Sequence, residues 1–230
     1  MILSRPSAKI IAHTVMALNL IEAAGRTCYK SEDKMTDESC IPFTEMIIKR
    51  DHLSVLEHAS ASVRFICDRG VSHEIVRHRL ASFSQESTRY CDYNNGHVEF
   101  IIPPWVNGIP GAYQITWDKL IGTTDYNGIS MSTPEDTGNA ERWFWAMALA
   151  EREYRHLRTG GWRPEQARSV LPNSLKTELV MTANLREWLH FFTLRTAKAA
   201  HPQMREVAIP LLHQFQQIFP IIFDDVKPSA

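Results

Sequence analysis

Residues 59–67 alternate strictly: Ala61, Val63, Phe65 and Cys67 face one way along an extended chain, and Ser60, Ser62 and Arg64 face the other. This predicts a half-buried strand. Around it, strand and helix signals mix without regular βαβ repeats, which favours an α+β fold over a doubly wound one. The expected architecture is a mixed or antiparallel sheet flanked by helices, in a single domain spanning 1–230. Val15, Leu18 and Ile21 or Glu22 at turn spacing predict a helix over 14–24, and a second is expected over 42–50 with Pro42 near its start. Gly70 turns the chain, and Ser72 is read as the N-cap of a helix through Arg79. A strand over 97–102 stops at Pro103-Pro104. Residues 105–139, crowded with Gly, Thr, Asn and Pro, read as a variable surface insert. A long helix over 140–158 ends at Gly160-Gly161, and Pro164 opens another that stops before Pro172. A strand over 175–183, a helix over 185–197 and a last helix after Pro202, kinked at Pro210, complete the chain.

The net charge is -1, which counts against a polynucleotide-binding surface. Seventeen of the 25 basic residues are Arg, whose rigid fork suits phosphate and carboxylate, so local anion sites are expected. The four cysteines show no Cys-x-x-Cys spacing. Arg5 and Lys9 precede an apolar run over 10–24, but His13, Asn19 and Glu22 interrupt it. It reads as an amphipathic helix of a cytoplasmic protein, neither leader nor membrane span.

The densest chemistry lies in Arg77-His78-Arg79-Leu80-Ala81-Ser82-Phe83-Ser84-Gln85-Glu86-Ser87-Thr88-Arg89-Tyr90. Guanidinium forks, hydroxyls and loop N–H groups can grip phosphates, while Gln85 and Glu86 can read a base or ribose edge. Arg and His near a helix end also simply satisfy its last carbonyls, and on composition alone the two readings balance. If both lie on a helix, Arg77 and Arg79 point about 200° apart and serve different groups.

Arg-His-Arg followed after seven residues by Ser87 resembles the signature of the flavin-dependent thymidylate synthases. Four further segments resemble that family in the same order: Gly25-Arg26-Thr27-Cys28-Tyr29-Lys30-Ser31, His52-x-Ser54-x-x-Glu57-His58, Ala167-Arg168-Ser169-Val170-Leu171-Pro172, and Asn184-Leu185-Arg186 with Leu194-Arg195. One such motif is weak; five in register are strong.

The resemblance implies that dUMP is bound by Glu74, Arg77, Gln85, Glu86, Ser87, Thr88, Arg89, Arg168 and Arg195. Arg195 would be catalytic, favouring ionisation of uracil N3 and so raising electron density at C5. It implies FAD at Ser54, Arg77, His78, Arg79, Gln85, Asn184, Arg186 and His190, with NADPH and methylenetetrahydrofolate as co-substrates. The absence of a Gly-x-Gly-x-x-Gly sequence agrees with a flavin site of another kind. Arg186 and His190 share a helical face while Arg195 lies about half a turn away. The helix is therefore expected between two active sites at a subunit interface, and the family resemblance implies a homotetramer. Lys198 to Arg205 departs from the family pattern, and His201 and Gln203 are given no role.

Other features carry plainer readings. His52, His58, His73 and His78 lack metal-ligand spacing, and no metal is expected. Trp143, Trp145 and Tyr154 are read as packing, Arg152, Arg155 and Arg158 as a solvated face, and Cys91 as a small buried residue. The rival readings are a nucleotide- or nucleic-acid-binding module built on residues 77–89, and a nucleotide enzyme with a catalytic Cys91.

Overall fold

The computed structural model describes residues 1–94, 96–113, 124–126, 129–131 and 138–228. Much of the expected insert over 105–139 lies outside them. In chain order the strands are β1 (Ile2–Ser4), β2 (Ser7–His13), β3 (Ser60–Asp68), β4 (Ala81–Gln85), β5 (Glu99–Ile101), β6 (Gly111–Ala112), β7 (Thr124–Tyr126), β8 (Ile129–Met131) and β9 (Lys176–Asn184). The helices are α1 (Ala17–Thr27), α2 (Cys40–Lys49), α3 (Arg69–Ile75), α4 (Asn139–Thr159), α5 (Pro164–Ala167), α6 (Leu185–Arg195) and α7 (Pro202–Ile218). The expected α+β class with mixed and antiparallel sheets holds. The described chain forms two compact units, neither continuous in sequence.

The first unit comprises Met1–Pro6, Ile66–Ser72 and Gln85–Glu178. Its sheet has the order β5-β1-β6, with Leu3 paired in parallel to Phe100 and antiparallel to Gly111. Leu3, Val98, Phe100, Ile102, Phe144, Met147 and Tyr154 form its core, so α4 supplies the apolar cover. Trp143 and Trp145 pack against that core as expected. At the end of α4, Gly161 takes φ +91. The Gly161 N–H donates to the Arg158 carbonyl at 3.1 Å and Trp162 N–H to the Leu157 carbonyl at 3.0 Å, the paired bonds of a Schellman motif. Gly161→Ala should cost about 1–2 kcal/mol, because a Cβ strains this left-handed position; a urea titration with unchanged slope checks it.

The second unit comprises Ser7–Phe65, His73–Ser84 and Leu179–Ala230. Strands β2, β3, β9 and β4 follow one another in that order in the four-stranded sheet. In β3, Ala61, Val63 and Phe65 are buried while Arg64 is exposed, as the alternation predicts. Trp188, Phe191 and Phe192 of α6 and Phe215 of α7 join Phe65 in a fully buried aromatic cluster. Gln214 of α7 donates to the Ala8 carbonyl at 2.9 Å and accepts from Ile10 N–H at 3.3 Å, capping the open edge of β2.

Several expectations change. Residues 7–13 form β2, and the helix expected over 14–24 begins only at Ala17, after Met16 turns the chain with φ 51. Ser72 is not an N-cap: it lies inside α3 and donates to the Arg69 carbonyl at 2.9 Å. Asp68 takes the capping part, accepting from Val71 N–H at 2.7 Å, because its carboxylate stands at the strand end where α3 begins. The helix ends at Ile75, so Arg77 and Arg79 are not helical and are not held in opposed helical directions. The helix opened by Pro164 is only four residues long, followed by a 3-10 turn over Arg168–Val170. Helix α7 continues through Pro210 to Ile218.

Candidate active site

Within the second unit, Arg195 at the C-terminal end of α6 is held on three sides. Its Nε–H donates to His78 Nε2 at 3.0 Å, one N–H of NH1 to Glu74 Oε2 at 3.0 Å, and one N–H of NH2 to the Glu74 carbonyl at 2.9 Å. His78 Nδ1 lies 3.0 Å from Glu187 Oε1. His78 and Glu187 are only 4% and 6% exposed, so this is a buried polar chain. Burial lowers the His78 pKa, Glu187 opposes that shift, and the Arg195 charge lowers it further. A guanidinium has five N–H groups and no acceptor. Among the described residues three are engaged, which leaves two for a ligand.

His78, Glu187 and His190 bring ligand atoms within 4.8 Å of one another, a grouping the sequence did not suggest. Both ring nitrogens of His78 are already engaged, one by Arg195 and one by Glu187. Within the trio, His78 and Glu187 are joined by a hydrogen bond. The His190 and His78 rings meet edge to face at 5.6 Å, so two residues expected for one cofactor are neighbours. Arg77 and Arg79 are exposed, with no side-chain partner among the described residues.

A cleft of about 900 Å³ opens in the same unit. Arg26, Cys28, Lys34, Arg50, Ser54 and Arg186 are among its lining residues. Its wall is built around Glu22, fully buried, which accepts from Arg26 Nε at 2.7 Å and from Ser39 Oγ at 2.8 Å. The Arg26 guanidinium lies over Phe43 at 5.1 Å. Gly25 permits that approach of α1 and α2, since a Cβ there would lie 2.5 Å from Phe43 Cζ. Ser54 and Arg186, distant in sequence, thus meet in one cleft. Arg186 also pairs with Glu57 at 2.6 Å. Asn184 caps α6, its Oδ1 accepting from Glu187 N–H at 2.9 Å.

Within the first unit, Arg168 donates to Thr88 Oγ1 at 3.0 Å, joining two residues eighty apart in sequence. Gln85 donates to Ser72 Oγ at 2.9 Å and Thr177 Oγ1 at 3.2 Å. Glu86 accepts from the Tyr93 hydroxyl at 2.8 Å and pairs with Lys176 at 3.4 Å. Burial works against the Lys176 charge, but Glu178 and Glu86 outweigh it and raise its pKa. Ser87 Oγ accepts from Arg89 N–H at 3.3 Å, and Arg89 is exposed beside the Tyr90 ring at 5.5 Å. Glu187, Tyr93, Thr177 and Lys176 were missed in the sequence. None stands in a motif, and only the fold pairs them with the signature segment.

The segment after the signature is tied to α4. Arg158 grips Asp92 with Nε at 3.0 Å and NH2 at 2.6 Å, and Tyr154 donates to Asp92 Oδ1 at 3.2 Å. Arg155 pairs with Glu151 at 3.0 Å. Of the expected solvated Arg face, Arg155 thus pairs with Glu151 one turn earlier on α4 and Arg158 with Asp92. Arg158 holds the Asp92 pKa down to about 2. A depressed folded-state pKa contributes stability above the unfolded value of about 3.9, lost as pH falls toward 2. Asp92→Asn should therefore lower stability at pH 6, with most of the difference from wild type lost as pH falls from about 4 to about 2. Thermal unfolding across that range checks it. Burial pushes the Cys67 thiol up to about 12, while Cys91 is half-buried.

A sequence model of the family described as thymidylate synthase complementing protein matches residues 9–221. The chain belongs to that family. A flavin-dependent thymidylate synthase from Geobacter sulfurreducens is 30% identical over 228 residues, covering 96% of this chain and 87% of that protein. One from Mycobacterium avium is 33% identical over 211 residues, covering 90% and 79%. A crystal structure described as the UMP/dUMP methylase PolB from Streptomyces cacaoi bound with 5-Br dUMP shares the fold. It has a TM-score of 0.73 at 24% identity, over 97% of this chain and 96% of that one. No helix among the described residues is long and apolar enough to cross a membrane.

Proposed function

We propose that this chain is a flavin-dependent thymidylate synthase that converts dUMP to dTMP. The observation that carries the reading is the family match over residues 9–221, which takes in the signature, the cleft and Arg195. The residues proposed for dUMP are Glu74, Arg77, Gln85, Glu86, Ser87, Thr88, Arg89, Arg168 and Arg195. Arg195 keeps its charge when desolvated and has two uncommitted N–H groups, the number a base edge such as N3–O2 can accept. Negative charge stabilised there raises electron density at C5, the carbon that attacks. Glu74 fixes the guanidinium from two oxygens, so the group needs little reorganisation as charge develops. No thiol nucleophile is required, and Cys91 has no part.

The cleft fits FAD by its donor set and its size. Lys34, Arg50 and Arg186 supply cations for a diphosphate and Ser54 a hydroxyl, in a volume near the upper end of ordinary ligand pockets, about 300–1,000 Å³. Of the residues proposed to hold FAD, Ser54 and Arg186 line the cleft; Arg77, His78, Arg79, Gln85, Asn184 and His190 complete the proposed set without lining it. Bound there, FAD would supply the redox chemistry that links NADPH to reduction of the one-carbon unit brought by methylenetetrahydrofolate.

A homotetramer with active sites shared between subunits, in the cytoplasm, completes the proposal. It is supported by the opposed surroundings of Arg186, in the cleft, and Arg195, on Glu74 and His78. Light scattering should show an oligomer, and a fully active monomer would overturn this part. The catalytic reading is tested by incubating C5-tritiated dUMP with the protein, NADPH and methylenetetrahydrofolate. Label release with matching dTMP is expected; neither appearing with folded, FAD-loaded protein refutes it.

A further inference from the structure

We infer that Glu187 is a positioning residue that fixes Arg195 by selecting the tautomer of His78. The inference rests on the reading that Arg195 contacts the substrate base. Arg195 is donor-only, and its Nε–H points at His78 Nε2 from 3.0 Å. That nitrogen must offer its lone pair, so the ring is neutral with its proton on Nδ1. Glu187 Oε1, 3.0 Å from Nδ1, is the acceptor that proton needs. The other tautomer places two donors face to face at Arg195 and two acceptors face to face at Glu187. Protonating the ring sets a second cation beside the guanidinium.

The charges around the ring agree. Glu187 faces it from the first turn of α6, where Asn184 receives its backbone N–H and the helix dipole favours a carboxylate. Arg195 faces it from the last turn of the same helix, and His190 meets it edge to face at 5.6 Å. Glu74 holds the far side of the guanidinium. One helix thus carries both the selected group and the carboxylate that selects it, with His78 joining them. Glu187 itself is 6% exposed, so its effect passes through His78.

Solid-state ¹⁵N spectra of histidine-labelled wild-type protein, with the His78 signals identified by their loss in His78→Gln, should show a neutral ring protonated at Nδ1. A ring protonated at Nε2, or doubly protonated at pH 7, overturns the proposal whatever the activity. Glu187→Ala should lower dTMP formation about tenfold, the size of one lost hydrogen bond to a charged group. Glu187→Gln, whose Oε1 can still accept from Nδ1, should recover most of the rate. In an Arg195→Ala background Glu187→Ala should cost less than about twofold, because the group it positions is gone. An equal loss in both backgrounds, or no rescue by Gln, makes Glu187 a merely structural residue and overturns the inference. An inactive wild-type protein whose His78 ring carries its proton on Nδ1 refutes the assigned reaction while leaving the tautomer assignment standing.

Discussion

Arg195→Ala should lower the rate of dTMP formation by about 10²–10³-fold, the loss typical when one preorganised donor is removed from developing negative charge. The structure explains why this side chain is the one to remove. Its guanidinium is fixed by Glu74 Oε2, the Glu74 carbonyl and His78 Nε2, at 2.9–3.0 Å. A group so held is oriented before the substrate arrives, so deleting it removes both charge and alignment. Arg195→Lys should recover little, because an ammonium keeps the charge but not the planar fork that meets three acceptors at once. Steady-state kinetics on dUMP, with retained fold checked by circular dichroism, make the measurement. A rate within threefold of wild type for Arg195→Ala would remove Arg195 from the chemistry.

The second large effect is on stability. Trp188→Ala should destabilise the second unit by about 3–5 kcal/mol, the usual cost of emptying a large aromatic site. Trp188 is fully buried and lies 4.9 Å from the Phe215 ring, 5.3 Å from Phe191 and 5.9 Å from Phe192 between ring centroids. Its indole N–H also donates to the Ala61 carbonyl at 3.1 Å. Trp188→Phe keeps much of the ring packing but loses that hydrogen bond, so a smaller loss of about 1–3 kcal/mol is expected. Urea midpoints at fixed protein concentration compare the two. Because α6 carries both Trp188 and Arg195, the alanine variant should also lose activity as its midpoint falls.

What the sequence made legible was local. The two-residue alternation of β3 and the paired glycines after α4 are signals written in adjacent residues, and the structure places both where they predict. The resemblance in five short segments was legible for the same reason, and the family match over residues 9–221 agrees with it. What escaped depends on pairings across long separations. The end of α3 at Ile75 goes with Arg195, which takes the Glu74 carbonyl, 121 residues away in sequence. Glu187 stands in no motif, and its partner His78 is 109 residues distant. Strand β2 was hidden because its side chains resemble the start of a helix, and Gln214 satisfies its edge from the far end of the chain. Thr88 with Arg168 was expected as two independent contacts; the structure joins them directly.

A flavin held in the cationic cleft and serving dUMP methylation would show itself by its colour. The most direct measurement is the visible absorbance of the intact purified protein, supplied with FAD, before and after NADPH under anaerobic conditions. A yellow protein with bound FAD is expected, which bleaches with NADPH and recovers its colour as dUMP and methylenetetrahydrofolate are turned into dTMP. A colourless protein that takes up no FAD when offered it would rule out a flavin in the cleft.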